Sequence, residues 1–107
     1  MISDRYEYNP EIVQLREEVA LKIRYRMQES VGEFVEEHHE EFGLTKSSFH
    51  GYLSSVRAGK KIRSTTNASK GFGYSKLEVE RLSKLFEILG MPERESLLQK
   101  VRKYSVY

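Results

Sequence analysis

The sequence predicts an all-α fold of about five helices, and three observations lead to this prediction. Apolar residues recur every three or four positions, which is the period of a helix with one buried face. Residues that start and stop helices bracket these runs. No segment shows the alternation of apolar and polar residues that is typical of a half-buried strand. Because a chain of 107 residues suits one core, we expect residues 1–107 to form a single domain.

The first helix is predicted to begin at Asn9-Pro10-Glu11. Asn can accept hydrogen bonds from free backbone amides, Pro suits the first helical position, and Glu complements the helix dipole. Arg16 falls mostly off the apolar stripe of this helix and is predicted to lie outside the core. The stripe consists of Ile12, Leu15, Val19, Ile23 and Met27.

Two more helices are predicted between residues 30 and 59. Ser30 and Glu33 have capping-box spacing, so a second helix should run from Val31 to Gly43. Thr45 can cap a third helix, which should end at Gly59. Its apolar face repeats at helical spacing and consists of Phe49, Tyr52, Leu53 and Val56.

Residues 60–74 read KKIRSTTNASKGFGY and predict a long basic loop without an apolar period. Two interpretations of its aromatic residues stay open. In one, a flexible arm brings Lys70, Phe72 and Tyr74 to DNA. In the other, Phe72 and Tyr74 fasten the loop to the core.

The last two helices are predicted after this loop. Ser75 and Glu78 repeat the capping-box spacing, and Gly90 should end the fourth helix. Pro92 should start the fifth. The residues expected to face the core are Val79, Leu82, Leu85, Phe86, Leu89, Leu97, Leu98 and Val101.

Charge is distributed unevenly along the chain. Residues 1–42 carry eleven acids and five bases, whereas residues 43–76 carry seven bases and no acid. An acid-free basic segment attracts phosphate backbones, although a solvated basic loop would have the same composition. The chain has no cysteine and no run of apolar residues long enough to cross a membrane. We therefore expect a cytoplasmic protein without disulfides.

The segment from Val31 to Gly59 has the layout of a helix-turn-helix, and its residues resemble the λ-repressor-like (Xre or Cro type) family over roughly residues 31–91. The matching positions are Gly43, Leu44 and Thr45 in the turn, Gly59, Lys60 and Lys61 after the third helix, and Leu89, Gly90 and Met91 later. The resemblance implies a five-helix DNA-binding domain. The chain departs from the family by about one extra helical turn between Gly43 and Gly59 and by a longer loop before the fourth helix.

The third helix is predicted to present a face of small residues opposite its apolar face. Such a face lets a helix backbone approach DNA closely, so phosphate contacts and DNA shape should supply much of the affinity. The alternative is that this face packs on another protein helix. The predicted DNA-binding residues are Thr45, Lys46, Ser47, Ser48, His50, Gly51, Ser54, Ser55, Arg57, Lys60, Lys61, Arg63 and Lys70.

Other motifs are weak. Residues 70–74 match part of the RNP1 motif, but the flanking sequence is helical and no partner strand is predicted. Glu36 and His39 have the spacing of half a di-iron site, whose other ligands are missing. No catalytic constellation or phosphate-binding loop is recognisable, so we predict no enzyme activity, cofactor or metal site.

The sequence therefore predicts a DNA-binding transcriptional regulator of phage or plasmid type, such as a repressor. A homodimer is expected, because one short recognition helix buries little surface. No membrane or small-molecule partner is expected. The rival interpretation is a helical protein-interaction adaptor that docks through its acidic first 42 residues.

Overall fold

The computed structural model describes residues 9–59 and 73–105, which form five helices. They are α1 (Pro10–Arg26), α2 (Val31–His38), α3 (Lys46–Arg57), α4 (Lys76–Ile88) and α5 (Arg94–Lys103). The described residues contain no strand, although Tyr74 and Ser105 form an isolated parallel bridge. The predicted all-α class is confirmed. None of the described helices has the length and apolar character needed to cross a membrane.

Local capping explains where α1 and α4 begin. Asn9 Oδ1 accepts a hydrogen bond from the Glu11 amide at 2.9 Å. Ser75 and Glu78 form the predicted capping box, in which each side chain accepts from the backbone amide of the other at 3.1 Å. Both predicted helix starts are therefore confirmed.

Two predicted boundaries are wrong. The second helix ends at His38, before Gly43, because the chain then tightens into turns in which amides bond to carbonyl oxygens three residues back. The last helix begins at Arg94, because Pro92 lies in a turn that the Arg94 amide closes on the Met91 carbonyl at 3.3 Å.

The helices share one apolar core. α1 packs on α3 and α5, α2 packs on α3, and α4 packs on α5. All five apolar residues predicted for the α1 stripe are buried. On the other helices, Val56, Val79 and Leu89 lie at the rim of the core, partly buried.

Candidate nucleic-acid interface

A short turn fixes the direction in which α3 leaves α2. Gly43 has a φ of 65°, a left-handed conformation that glycine adopts without steric cost. The Leu44 amide donates to the His39 carbonyl at 3.1 Å, and His39 Nδ1 lies 2.9 Å from the Leu44 carbonyl oxygen. Lys84 of α4 donates to the Glu41 carbonyl oxygen at 2.5 Å. Hydrogen bonds within the turn and from α4 therefore hold the start of α3 in place.

The inner face of α3 is anchored in the core. Phe49 and Leu53 are fully buried. The Phe42 ring stacks on Phe49 with the ring centroids 4.5 Å apart. At the helix start, Thr45 Oγ1 accepts a hydrogen bond from the Ser48 amide at 3.1 Å. Thr45 is thus the N-cap that the sequence predicts, and α3 has one fixed face.

The opposite face of α3 is open to solvent. A Cβ added to Gly51 would meet no neighbouring atom within 4 Å. His50 Nδ1 lies 3.5 Å from Ser54 Oγ, while Ser55 and Arg57 are half-buried at the edge. The predicted DNA-binding residues that are exposed along this helix and its cap are Thr45, Lys46, Ser47, Ser48, His50, Gly51 and Ser54.

The charges near the two ends of α3 differ. Near its start, Lys46 Nζ forms a 2.9 Å ion pair with Glu36 of α2, and both side chains are more than half exposed. Near its end, the Arg24 guanidinium of α1 donates to the Arg57 carbonyl oxygen. Positive charge therefore prevails at the C-terminal end of α3. The remaining predicted contact residues, which are Lys60, Lys61, Arg63 and Lys70, lie outside the described residues.

The surface of α2 and the following turn is strongly acidic. It carries Glu33, Glu36, Glu37, Glu40 and Glu41, all of them exposed. Like charges on this surface would repel a phosphate backbone, because exposed charges interact over roughly a Debye length of 8–10 Å. The acidic surface restricts the directions from which a polyanion can approach α3.

A groove of about 600 Å³ runs between the outward face of α3 and the start of α4. Leu77 lines it and is 51% exposed. Arg81 also lines it, with its guanidinium carbon 5.7 Å from the centroid of the Tyr52 ring. Sequence reasoning missed Arg81 and Leu77 as site residues, because they belong to a helix beyond the long loop. On α3 and its turn the groove is lined by Leu44, Ser48, Gly51, Tyr52 and Ser55.

A charged cluster lies buried behind α3. Arg16 is only 4% exposed, so its predicted place outside the core is wrong. Its guanidinium forms a 3.1 Å ion pair with Glu78 and donates to the Gly73 carbonyl oxygen at 3.1 Å. The guanidinium carbon also lies 4.0 Å from the centroid of the Tyr74 ring. These partners compensate the cost of burying the charge.

Tyr74 belongs to the core and cannot reach DNA. It is 1% exposed, and its amide donates to the Tyr104 carbonyl oxygen at 3.0 Å. The interpretation in which Tyr74 is part of a DNA-contacting arm is therefore wrong, and Tyr74 instead fastens the chain that enters α4. Lys70 and Phe72 lie outside the described residues.

The hydroxyl groups of Tyr52 and Tyr74 are buried without a hydrogen-bond partner in the described part of the chain. Both tyrosines line a cavity of about 20 Å³, a volume that fits one water molecule. Burial raises the pKa of both phenols, and the nearby Glu78 carboxylate also raises it. The two phenols thus stay protonated well above pH 10 in the folded protein.

Three side chains, one from the link between α1 and α2 and two from the last turn of α2, could hold a metal ion. Ligand atoms of Glu29, Glu37 and His38 lie within 4.8 Å of one another on a partly exposed acidic surface. Desolvation and then the nearby Glu37 carboxylate raise the pKa of Glu29. Glu36 and His39, which have the spacing of half a di-iron site, contact different partners. Glu36 pairs with Lys46, and His39 contacts the Leu44 carbonyl oxygen.

Comparisons with protein-family models, curated proteins and solved structures found no match for this chain. The resemblance to the λ-repressor-like family thus stays a prediction from the residues in and around α3.

Proposed function

We propose that this chain binds duplex DNA through the outward face of α3 and acts as a transcriptional regulator of phage or plasmid type. One observation carries the proposal: α3 exposes a face of small, uncharged side chains while its opposite face is fixed in the core. The major groove of DNA admits an α-helix, and small side chains allow its backbone to come close to the bases.

The charges support one orientation on DNA. The acidic surface of α2 should point away from the phosphates, and the groove with Arg81 should point towards them. Arg57 lies at the C-terminal end of α3, and the basic residues Lys60, Lys61 and Arg63 follow it closely in the sequence. Phosphate contacts are therefore expected beyond the C-terminal end of α3 and across the groove.

Short side chains limit direct readout of the bases. Ser47, His50 and Ser54 can each form hydrogen bonds, but none makes the bidentate contacts of Arg, Asn or Gln. Affinity should then depend mainly on phosphates and DNA shape. A homodimer would double the contact surface and supply the specificity that one helix lacks. We place the protein in the cytoplasm, which suits a chain without cysteine.

The proposal is tested by measuring the affinity for duplex DNA at increasing salt. We expect retention on heparin and a steep loss of affinity between about 50 and 200 mM salt, because phosphate binding releases counterions. Selection from random duplexes then identifies the preferred sequence. A protein that binds no duplex at the lowest salt concentration would refute the proposal.

A second candidate function is a protein-interaction adaptor, and the groove between α3 and α4 favours it. Leu77 and the partly buried Leu44 line the groove beside the small residues of α3, so a partner helix could pack there. The acidic first 42 residues could also serve as a docking surface, as the sequence suggests. An adaptor should show no salt-dependent binding to duplex DNA, which separates the two functions.

A further inference from the structure

The outward face of α1 carries two large apolar side chains that its own chain leaves open. Leu21 is 61% exposed and Tyr25 is 75% exposed. They are four residues apart and thus lie one above the other on the same helix face. Exposed apolar residues that are grouped on one face and surrounded by polar residues mark an interaction surface.

The charges beside these two residues have a directional pattern. Glu17 and Arg24 are both exposed on α1. They lie about two turns apart, on the same side of the exposed pair Leu21 and Tyr25. The acid precedes Leu21 and the base follows it at nearly the same distance along the helix. A second α1 in antiparallel orientation, centred on Leu21, would place each Glu17 opposite an Arg24. In a parallel pair this flank of one copy lies on the opposite side of the interface from the same flank of the other, so Glu17 and Arg24 would not pair.

We infer that a second copy of this chain docks antiparallel on the outward face of α1, with Leu21 of both copies at the twofold axis. Such an interface is isologous, because the same surface serves both copies. The Arg24 guanidinium also donates to the Arg57 carbonyl oxygen of its own chain. Glu17 likewise has an interaction within its own chain. A guanidinium has five N–H donors and a carboxylate accepts several hydrogen bonds, so each can serve two partners.

The dimer should be weak and reversible. A helix of 17 residues is about 25 Å long. Contact between the outward faces of two α1 helices therefore buries less than the roughly 1,200 Å² of a typical stable interface. Because α1 packs directly on α3, this pairing would also fix the distance between the two α3 helices. The inference supplies an interface for the homodimer of the proposed function. The evidence for this interface comes from α1 alone.

Reversing the charge of Glu17 or of Arg24 tests the antiparallel pairing of α1 without DNA. Sedimentation of the parent protein should show a monomer–dimer equilibrium that depends on concentration. Glu17→Lys and Arg24→Glu should each weaken self-association at least about tenfold, because both ion pairs of the dimer become repulsive. An equimolar mixture of the two variants should restore dimers, because every introduced charge then meets an opposite one. Glu95→Lys, an exposed change of the same charge on α5, should have no effect.

Two results would overturn the inference. One is a parent protein that stays monomeric at all accessible concentrations. The other is a mixture that fails to restore dimers although circular dichroism shows both variants folded. Either result concerns α1 only, so duplex binding by α3 would stand or fall separately in its own salt titration.

Discussion

Two polar regions lie on opposite sides of α3, and they differ in both charge and burial. On the outward side, the residues around Gly51 are small, mostly uncharged and exposed. On the inward side, Tyr52 is 4% exposed and lines the cavity beside the Arg16–Glu78 ion pair. Gly51 and Tyr52 are neighbours in the sequence, yet one belongs to the surface and the other to the core.

In this molecule, the charge of a residue therefore does not determine whether it is buried or exposed. The charged cluster is buried and should control stability, whereas the nearly uncharged face is open and should control binding. Substitutions in the two regions should therefore have separable effects.

The largest effect is expected from Glu78→Gln in the buried cluster. It should lower the free energy of unfolding by about 3–5 kcal/mol, because the buried guanidinium of Arg16 loses its ion pair with Glu78. Gln can still serve the capping box with Ser75. Denaturant unfolding measures the change. Glu80→Gln, an exposed position on the same helix, should change stability by less than about 0.5 kcal/mol. Equal effects of the two variants would contradict the assignment.

Gly51→Arg should lower the affinity for a selected duplex about 100-fold, which corresponds to about 2.7 kcal/mol. The long side chain should hold α3 away from the groove, while melting temperature and helicity should not fall, because the position is open and Arg has a higher helix propensity than Gly. Gly32→Arg on α2 adds the same charge at another exposed helical glycine. Since both variants gain a positive charge, a loss seen only at position 51 must be steric. A variant that unfolds would show that position 51 is not open.

Replacing Lys60, Lys61 and Arg63 together by Ala should weaken binding to all duplexes about tenfold. It should also reduce the slope of log affinity against log salt by up to about 2.7, because three phosphate contacts are lost. Removing Arg94, Arg102 and Lys103 of α5, which are exposed, takes away the same charge elsewhere and serves as the control. An unchanged slope in the first variant would exclude these residues from the DNA backbone.

A small effect is also expected at alkaline pH. Burial raises the pKa of Tyr52 in the folded state above its ordinary value near 10. Above pH 10 the unfolded chain therefore loses its phenol proton first, and stability falls with rising pH. Tyr52→Phe should remove about 1.4 kcal/mol of this fall at pH 11. Tyr25→Phe, the same change at an exposed position, serves as the control. A parent protein whose stability is constant from pH 9 to 11 would contradict this account.

Local features of the fold could be predicted from the sequence. Asn9, Thr45 and Ser75 act on amides two or three residues away, so sequence spacing is enough to identify them as caps. The apolar period likewise shows which face of α3 is buried and, by exclusion, that the face with Gly51 is exposed. Helix ends were less predictable, because Pro92 suits a turn as well as a first helical position.

Contacts between distant segments could not be predicted. Arg16 lies at the edge of an apolar stripe, and its ion pair with Glu78 of α4 helps to compensate for its burial. Arg81 joins the candidate site only because α4 lies beside α3. In the sequence, Lys46 belongs to a basic segment without acids, but in the structure Glu36 of α2 forms an ion pair with it. In each case the partner lies on a different helix, where the local pattern carries no information about it.

The Arg16–Glu78 ion pair also has a kinetic consequence. Its partners are separated by 62 positions in the chain, so they meet only after the helices between them have assembled and that long segment has closed. A contact absent from the folding transition state acts on the rate of unfolding and leaves the rate of folding nearly unchanged. Stopped-flow measurements on Glu78→Gln should then show faster unfolding and almost normal refolding. The lifetime of the native state would depend on this one buried pair more than on any helix cap.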